Sequence, residues 1–204
     1  MSVFIDFHVL QTVPPSCVNR DDTGSPKTAV YGGAVRARVS SQAWKHAMRE
    51  TFKDFFSEEV LGNRTKYVVE MVEKEMAVID SSLDEKECHS KAVAALDLAG
   101  IKVKASKKGE TEKAEALFFM SHQQAKAIAA HALSLDLKDK DAVKLLKDDL
   151  KENPSVDLAL FGRMAASDPT LNYDAASQVA HAISTHAVQN EYDYFTAVDD
   201  FNKV

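Results

Sequence analysis

The chain has 204 residues, enough for one sizeable core or two small ones, and its 45% hydrophobic and 27% charged content is that of an ordinary globular protein. Cys17 and Cys88, the only cysteines, give neither a disulfide framework nor a zinc site, and without a membrane-length apolar run or signal peptide the expected location is cytoplasmic. The formal net charge of −6 speaks against nucleic acid, but residues 1–50 hold six Lys/Arg to four Asp/Glu while the remainder holds 19 to 27.

In chain order, Val3, Ile5, Phe7 and Val9 alternate with Phe4, Asp6, His8 and Leu10, which predicts a central strand over 3–10, apolar on both faces. His8 reads as a hydrogen-bonded structural residue. Residues 11–34, rich in Pro, Gly, Asn and Asp, read as a long loop, of the kind that is usually functional or disordered. Within it Asn19, Arg20, Asp21 and Asp22 form a dense polar cluster. Two carboxylates there open a route to a divalent cation and metal-assisted phosphodiester cleavage. The competing reading has them tie down the loop through backbone N–H groups or Arg20. Lys27 and the Gly32–Gly33 pair fit a loop tip that lets the backbone approach something closely.

From 36 to 49 the sequence is R-A-R-V-S-S-Q-A-W-K-H-A-M-R, with four basic side chains and no carboxylate. Val35, Ala37 and Val39 alternate with Arg36 and Arg38, the period of a strand with one buried face. The period then becomes helical: Ser40 or Ser41 is a good N-cap, followed by Trp44, Met48, Phe52 and Phe55. Gln42, Lys45 and Arg49 share a second face. A helix N-terminus with unpaired N–H groups, two hydroxyls, an amide and converging cations suits a short polyanion.

Residues 57–153 are mostly helical by pattern. Tyr67, Val68, Met71, Val72 and Met76 make one stripe, Ala92, Ala95, Leu96 and Leu98 another, and 115–133 is an Ala-rich helical stretch. K-A-S-K-K-G-E near 104–110 reads as a solvated loop, His122 and His131 as surface residues, and 136–151 as a charged amphipathic helix. Pro154 marks a break before a helix over 156–166, and Asp168-Pro169 favours a turn. Residues 175–186 read as a helix or, from Val179, as extended chain. Tyr192, Tyr194 and Phe195 offer surfaces on which unpaired bases stack.

Several of these motifs resemble the CasC family, the repeated backbone subunit of the type I-E CRISPR surveillance complex, Cascade. They are H-V-L at 8–10, P-S-C-V-N-R-D-D at 15–22, G-G at 32–33 and R-V-S-S-Q-A-W-K-H-A-M-R at 38–49. A second block agrees: L-A-L-F-G-R-M-A-A-S-D-P at 158–169, V-A-H-A-I-S-T-H at 179–186 and Y-F-T-A-V-D-D at 194–200. The resemblance implies an α+β fold, with an RRM/ferredoxin-like palm, a helical fingers insertion and a thumb hairpin. The palm would take up 1–56, the fingers 57–175, and 176–204 would return to the palm and begin the thumb. It implies a non-catalytic RNA-binding subunit that stacks with copies of itself along a CRISPR guide RNA. Its partners would be that guide, target DNA and other Cascade subunits, with no membrane and no cofactor.

On the residues that match, Lys27, Ser40, Gln42, Lys45 and Arg49 would contact the guide backbone, with Arg20 in support and Arg36 and Arg38 beside them. Met164 and Phe195 would flank a displaced base, Thr196 would lie at the thumb root, and Arg163 would be a structural partner or phosphate contact. Family members continue past the position that matches Asp200, so an incomplete subunit is expected. The alternative is a metal-dependent endoribonuclease that uses Asp21 or Asp22.

Overall fold

The computed structural model describes residues 3–105, 112–165 and 167–191. The chain divides into two units, one of Met1–Trp44 with Val179–Val204, the other of Lys45–Gln178.

In the first unit β1 (Thr28–Tyr31) and β2 (Ala34–Val39) form a hairpin in which Val30 pairs with Val35 and Ala29 with Arg36. The turn needs two consecutive residues at positive φ, and Gly32 (62°) and Gly33 (73°) supply them. β7 (Ala182–Ile183) pairs antiparallel with the far side of β2, Arg38 opposite Ile183 and Val39 opposite Ala182, so the order is β1-β2-β7.

Directly opposed residues share a sheet face. Thr28, Val30, Val35 and Ala37 therefore lie on one face, and Tyr31, Ala34, Arg36 and Arg38 on the other. The apolar face is the open one: Val30 is 76% exposed, whereas Arg36 and Arg38 are half-buried. This corrects the expectation of a buried apolar face on this strand. The strand expected over 3–10 is absent too. Those residues are exposed and in no ladder, and His8 has no hydrogen bond among the described residues. Alternation makes a strand only where a neighbour takes up the backbone N–H and C=O groups. The long loop is shorter than expected, because its last residues are β1.

The second unit holds the large core. Its helices are α1 (Ser41–Phe52, which belongs here from Lys45 on), α2 (Val68–Ile79), α3 (Glu85–Leu98), α4 (His122–Ser134), α5 (Lys140–Asp149) and α6 (Val156–Phe161). β3 (Gly62–Thr65) pairs with β6 (Phe118–Ser121), and β4 (Val103–Ala105) with β5 (Glu112–Ala114), both antiparallel.

The stripe of α2 buries Val68, Val72 and Met76 against Ala92, Ala95 and Leu96 of α3 and Ile128 and Ala129 of α4. The Ala-rich stretch is not one helix. Four buried residues of β6 precede α4, which starts at a capping box: Ser121 Oγ accepts from Gln124 N, and Gln124 Oε1 accepts from Ser121 N. α6 stops at Gly162 (φ 73°), where a Cβ would stand 2.7 Å from Tyr173 O. Residues 175–186 contain no helix and turn extended at β7.

Candidate nucleic-acid interface

Seven of the residues expected to meet RNA lie in two runs of the first unit or at the start of α1. Asn19 and Arg20 end an extended stretch, and a tight loop through Asp21–Ser25 returns the chain to Lys27, whose N–H donates to Asn19 O. Arg20 is exposed, and its Nη1 donates to Gly24 O at 2.7 Å, closing that loop. Asp21 Oδ1 accepts from Thr23 N, Thr23 Oγ1 and Ser25 N at 2.7–2.9 Å. The Thr23 hydroxyl first, then the Ser25 amide, hold its carboxyl below the usual aspartate range. Asp21 therefore acts as the loop's own fastener. Among the described residues no group of three His, Cys, Asp or Glu is placed to hold a metal ion.

On β2, Arg36 donates from Nε to Tyr31 O and from Nη1 to Ser184 O, both at 3.0 Å, so it clamps the hairpin turn to the returning chain. Arg38 differs. Its Nε is buried with no hydrogen-bond partner among the described residues.

Helix α1 then opens, and its amides are not the vacant donors that sequence reasoning expects. Ser40 N donates to Asn19 Oδ1 (3.0 Å), Ser41 N to His181 Nδ1 (2.9 Å) and Ala43 N to Ser40 Oγ (3.3 Å). Ser40 is buried and serves as the N-cap; Gln42 is exposed. The open-helix-end argument for anion binding is thereby corrected: side chains already take the amides of Ser40, Ser41 and Ala43.

In the second unit Lys45 is half-buried, its Nζ 5.7 Å from the centre of the Phe161 ring. Arg49 has a structural post. Nε donates to Asp157 Oδ2 at 2.9 Å, Nη2 donates to Gly62 O at 3.2 Å, and the guanidinium lies 4.5 Å from the Phe119 ring centre. Asp157, whose side chain is 3% exposed, also accepts from Gly62 N through Oδ1, so the pair ties α1, β3 and α6 together.

Arg163 is fully structural. It is 6% exposed and donates to Leu171 O, Phe119 O, Leu150 O and Gln124 Oε1, and burial pulls its pKa down to about 10. The next residue reverses in character: Met164 is 84% exposed and is not the core filler a methionine usually is. Phe195 and Thr196, with Tyr192 and Tyr194, lie outside the described residues.

Sequence reasoning placed Asn19 in a polar cluster but gave His181 and Ser184 no part in the first unit. Ser184 Oγ accepts from Ala37 N at 3.1 Å, and its own N–H donates to Ala37 O at 2.9 Å. V-A-H-A-I-S-T-H is visible as a motif, but its partners lie about 140 positions earlier, a pairing that local pattern does not report.

The described residues form an α+β chain, and the comparisons with known proteins show its family. The sequence profile of the family described as CT1975-like protein matches residues 5–204, and the chain belongs to that family. Among solved structures, a chain titled "CRISPR RNA-guided surveillance complex" is 32% identical with a TM-score of 0.66, covering 87% of this chain and 57% of that one. A second, titled "CRISPR RNA-guided surveillance complex, pre-nicking", is 33% identical with a TM-score of 0.70, covering 92% of this chain and 54% of that one. The chain thus spans little more than half the length of the structures it matches. A comparison with curated proteins found no match. No helix among the described residues is long and apolar enough to cross a membrane.

Proposed function

We propose that this chain is a guide-RNA-binding, non-catalytic backbone subunit of a type I-E CRISPR surveillance complex, working beside further copies of itself and other subunits on target DNA. The observation that carries this reading is the carboxylate-free run from Arg36 to Arg49 in an acidic chain whose matches are surveillance-complex subunits. Within that run Gln42, Lys45 and Arg38 are the candidates for RNA contact, because Ser40, Arg36 and Arg49 already serve the fold. Lys27 and Arg20 extend the charge along the preceding loop. Met164 is an exposed apolar side chain of the kind that props a base.

The test is titration of a labelled single-stranded RNA with the protein at several salt concentrations, with and without magnesium. Each phosphate neutralised adds roughly −0.7 to the log–log salt slope on a single strand. Lys45→Glu is expected to weaken binding of every RNA sequence alike, to flatten that slope, and to leave the RNA uncut. Unchanged affinity and slope would refute the assigned face. Magnesium-dependent cleavage abolished by Asp21→Asn or Asp22→Asn would replace the reading with a nuclease.

A further inference from the structure

His181 immediately precedes β7, one step beyond the pairing of Val39 with Ala182, which places it opposite the start of α1. Its ring is exposed, and Nδ1 accepts the Ser41 N–H at 2.9 Å. An N–H can be accepted only at an unprotonated ring nitrogen, so the neutral ring carries its proton on Nε2. Nε2 has no hydrogen-bond partner among the described residues. The ring is thus held in one tautomer by a backbone amide, and it presents a neutral N–H donor. It stands two positions from Ile183, the residue opposite Arg38, whose own buried Nε also lacks an acceptor among the described residues. Exposed Gln42 follows Ser41 directly.

We infer that His181 is a further RNA-contacting residue, an uncharged Nε2–H donor to a phosphate or 2′-hydroxyl oxygen. This rests on the RNA-binding reading of the same face. The chemistry sets it apart from the lysines and arginines. A neutral donor adds affinity and geometric restraint without releasing a counterion, so it leaves no mark on the salt slope. The Ser41 bond also separates two jobs that a histidine at this place performs, namely capping α1 through Nδ1 and meeting the ligand through Nε2.

Two substitutions divide these jobs. Asn at 181 puts an amide oxygen near the Nδ1 position and keeps the cap, but it does not reach the Nε2 position; Ala removes both. The probe is fluorescein-labelled oligouridine, titrated near neutral pH at three salt concentrations, with thermal unfolding followed in parallel. His181→Asn is expected to keep the unfolding temperature of the parent protein yet bind about three- to tenfold more weakly with an unchanged salt slope, the loss of one neutral hydrogen bond. His181→Ala should bind at least as poorly. If His181→Asn binds as tightly as the parent, His181 is a cap alone and the inference fails, whether or not His181→Ala folds. A flattened slope in His181→Asn would also overturn it, because that marks a charged contact. Lys45→Glu separates the two levels: if it weakens binding while His181→Asn does not, only this inference falls. If the parent protein does not bind the probe at all, the RNA reading and the inference fall together.

Discussion

Arg49 and Arg163 illustrate what a basic residue can mean at the scale of a single side chain. In sequence both are cations beside apolar motifs, and a phosphate is a reasonable partner for either. In the structure each meets protein acceptors: Arg49 meets Asp157 and Gly62 O, and Arg163 meets three backbone carbonyls and Gln124. The acceptors of Arg49 lie 108 and 13 residues away, so no local pattern announces them. Its neighbour Lys45 has no carboxylate partner among the described residues and is the contact proposed above. The consequence is measurable. Arg163→Ala takes the guanidinium from the buried carbonyls of Leu171, Phe119 and Leu150, of which Leu150 O keeps the Gln124 Nε2 donor. At about 1–3 kcal/mol for each carbonyl left unsatisfied, an overall loss of about 2 kcal/mol or more is expected in a urea melt. A loss below about 1 kcal/mol would show that water replaces the guanidinium freely. Arg49→Glu is a poor probe of RNA binding for a related reason, because it sets two carboxylates against each other at Asp157.

Elements were legible where their period was long and their caps local. The stripes of α2 and α3, the charged α5 and the cap of α1 all follow from residues within a few positions of each other. β3, reading G-N-R-T, has no alternation and exists because β6 lies beside it. The split of the Ala-rich stretch was signalled by Ser121 and Gln124, which satisfy two donors reciprocally. Ser121→Ala should therefore destabilise the protein by about 1 kcal/mol, read as a shift of the urea midpoint at constant slope. A pH-dependent tie joins α2, α3 and β5: His89 lies between the carboxylates of Glu73, at Nδ1, and Glu112, at Nε2. Both ring nitrogens must carry protons for both bonds to form. Burial alone would lower the His89 pKa, but the bonds to Glu73 and Glu112 outweigh it and raise the value above the usual histidine range. A raised folded-state pKa contributes stability that is fully present below the unfolded value of about 6.5 and is lost as pH climbs through the folded one. His89→Gln should thus lower the unfolding temperature at pH 5.5 and change it much less at pH 9. An equal effect at both pH values would show that the tie does not depend on the proton.

For the whole molecule, the contrast lies between two units that differ in how completely they bury their apolar surface. The 45–178 unit has a core of helices with its apolar stripes covered. The other unit shows Val30, Val35 and the whole apolar set of residues 3–10 to solvent, with Phe4 89% and Phe7 88% exposed. Monomeric proteins rarely leave contiguous apolar patches larger than a few hundred Å² uncovered, and unpaired extended chain with bulky apolar side chains is a ready template for another strand. Sequence reasoning identified 3–10 as strand-forming from its alternation, but whether the strand forms depends on a neighbour that alternation cannot supply. This chain, purified at micromolar concentration, is therefore expected to associate and to bind a hydrophobic dye. Replacing Phe4 and Phe7 together with Ser should reduce both effects, because each buried ring contributes roughly 1.5–3 kcal/mol to such contacts. The 45–178 core should be indifferent to that change, since neither side chain belongs to it, and the unfolding signal of its helices should stay within about 0.5 kcal/mol. Light scattering together with dye titration of the two proteins decides the matter. A monodisperse, dye-silent parent protein would mean that 3–10 finds a partner within its own chain, and the Phe4/Phe7 substitution should then cost stability instead of curing association.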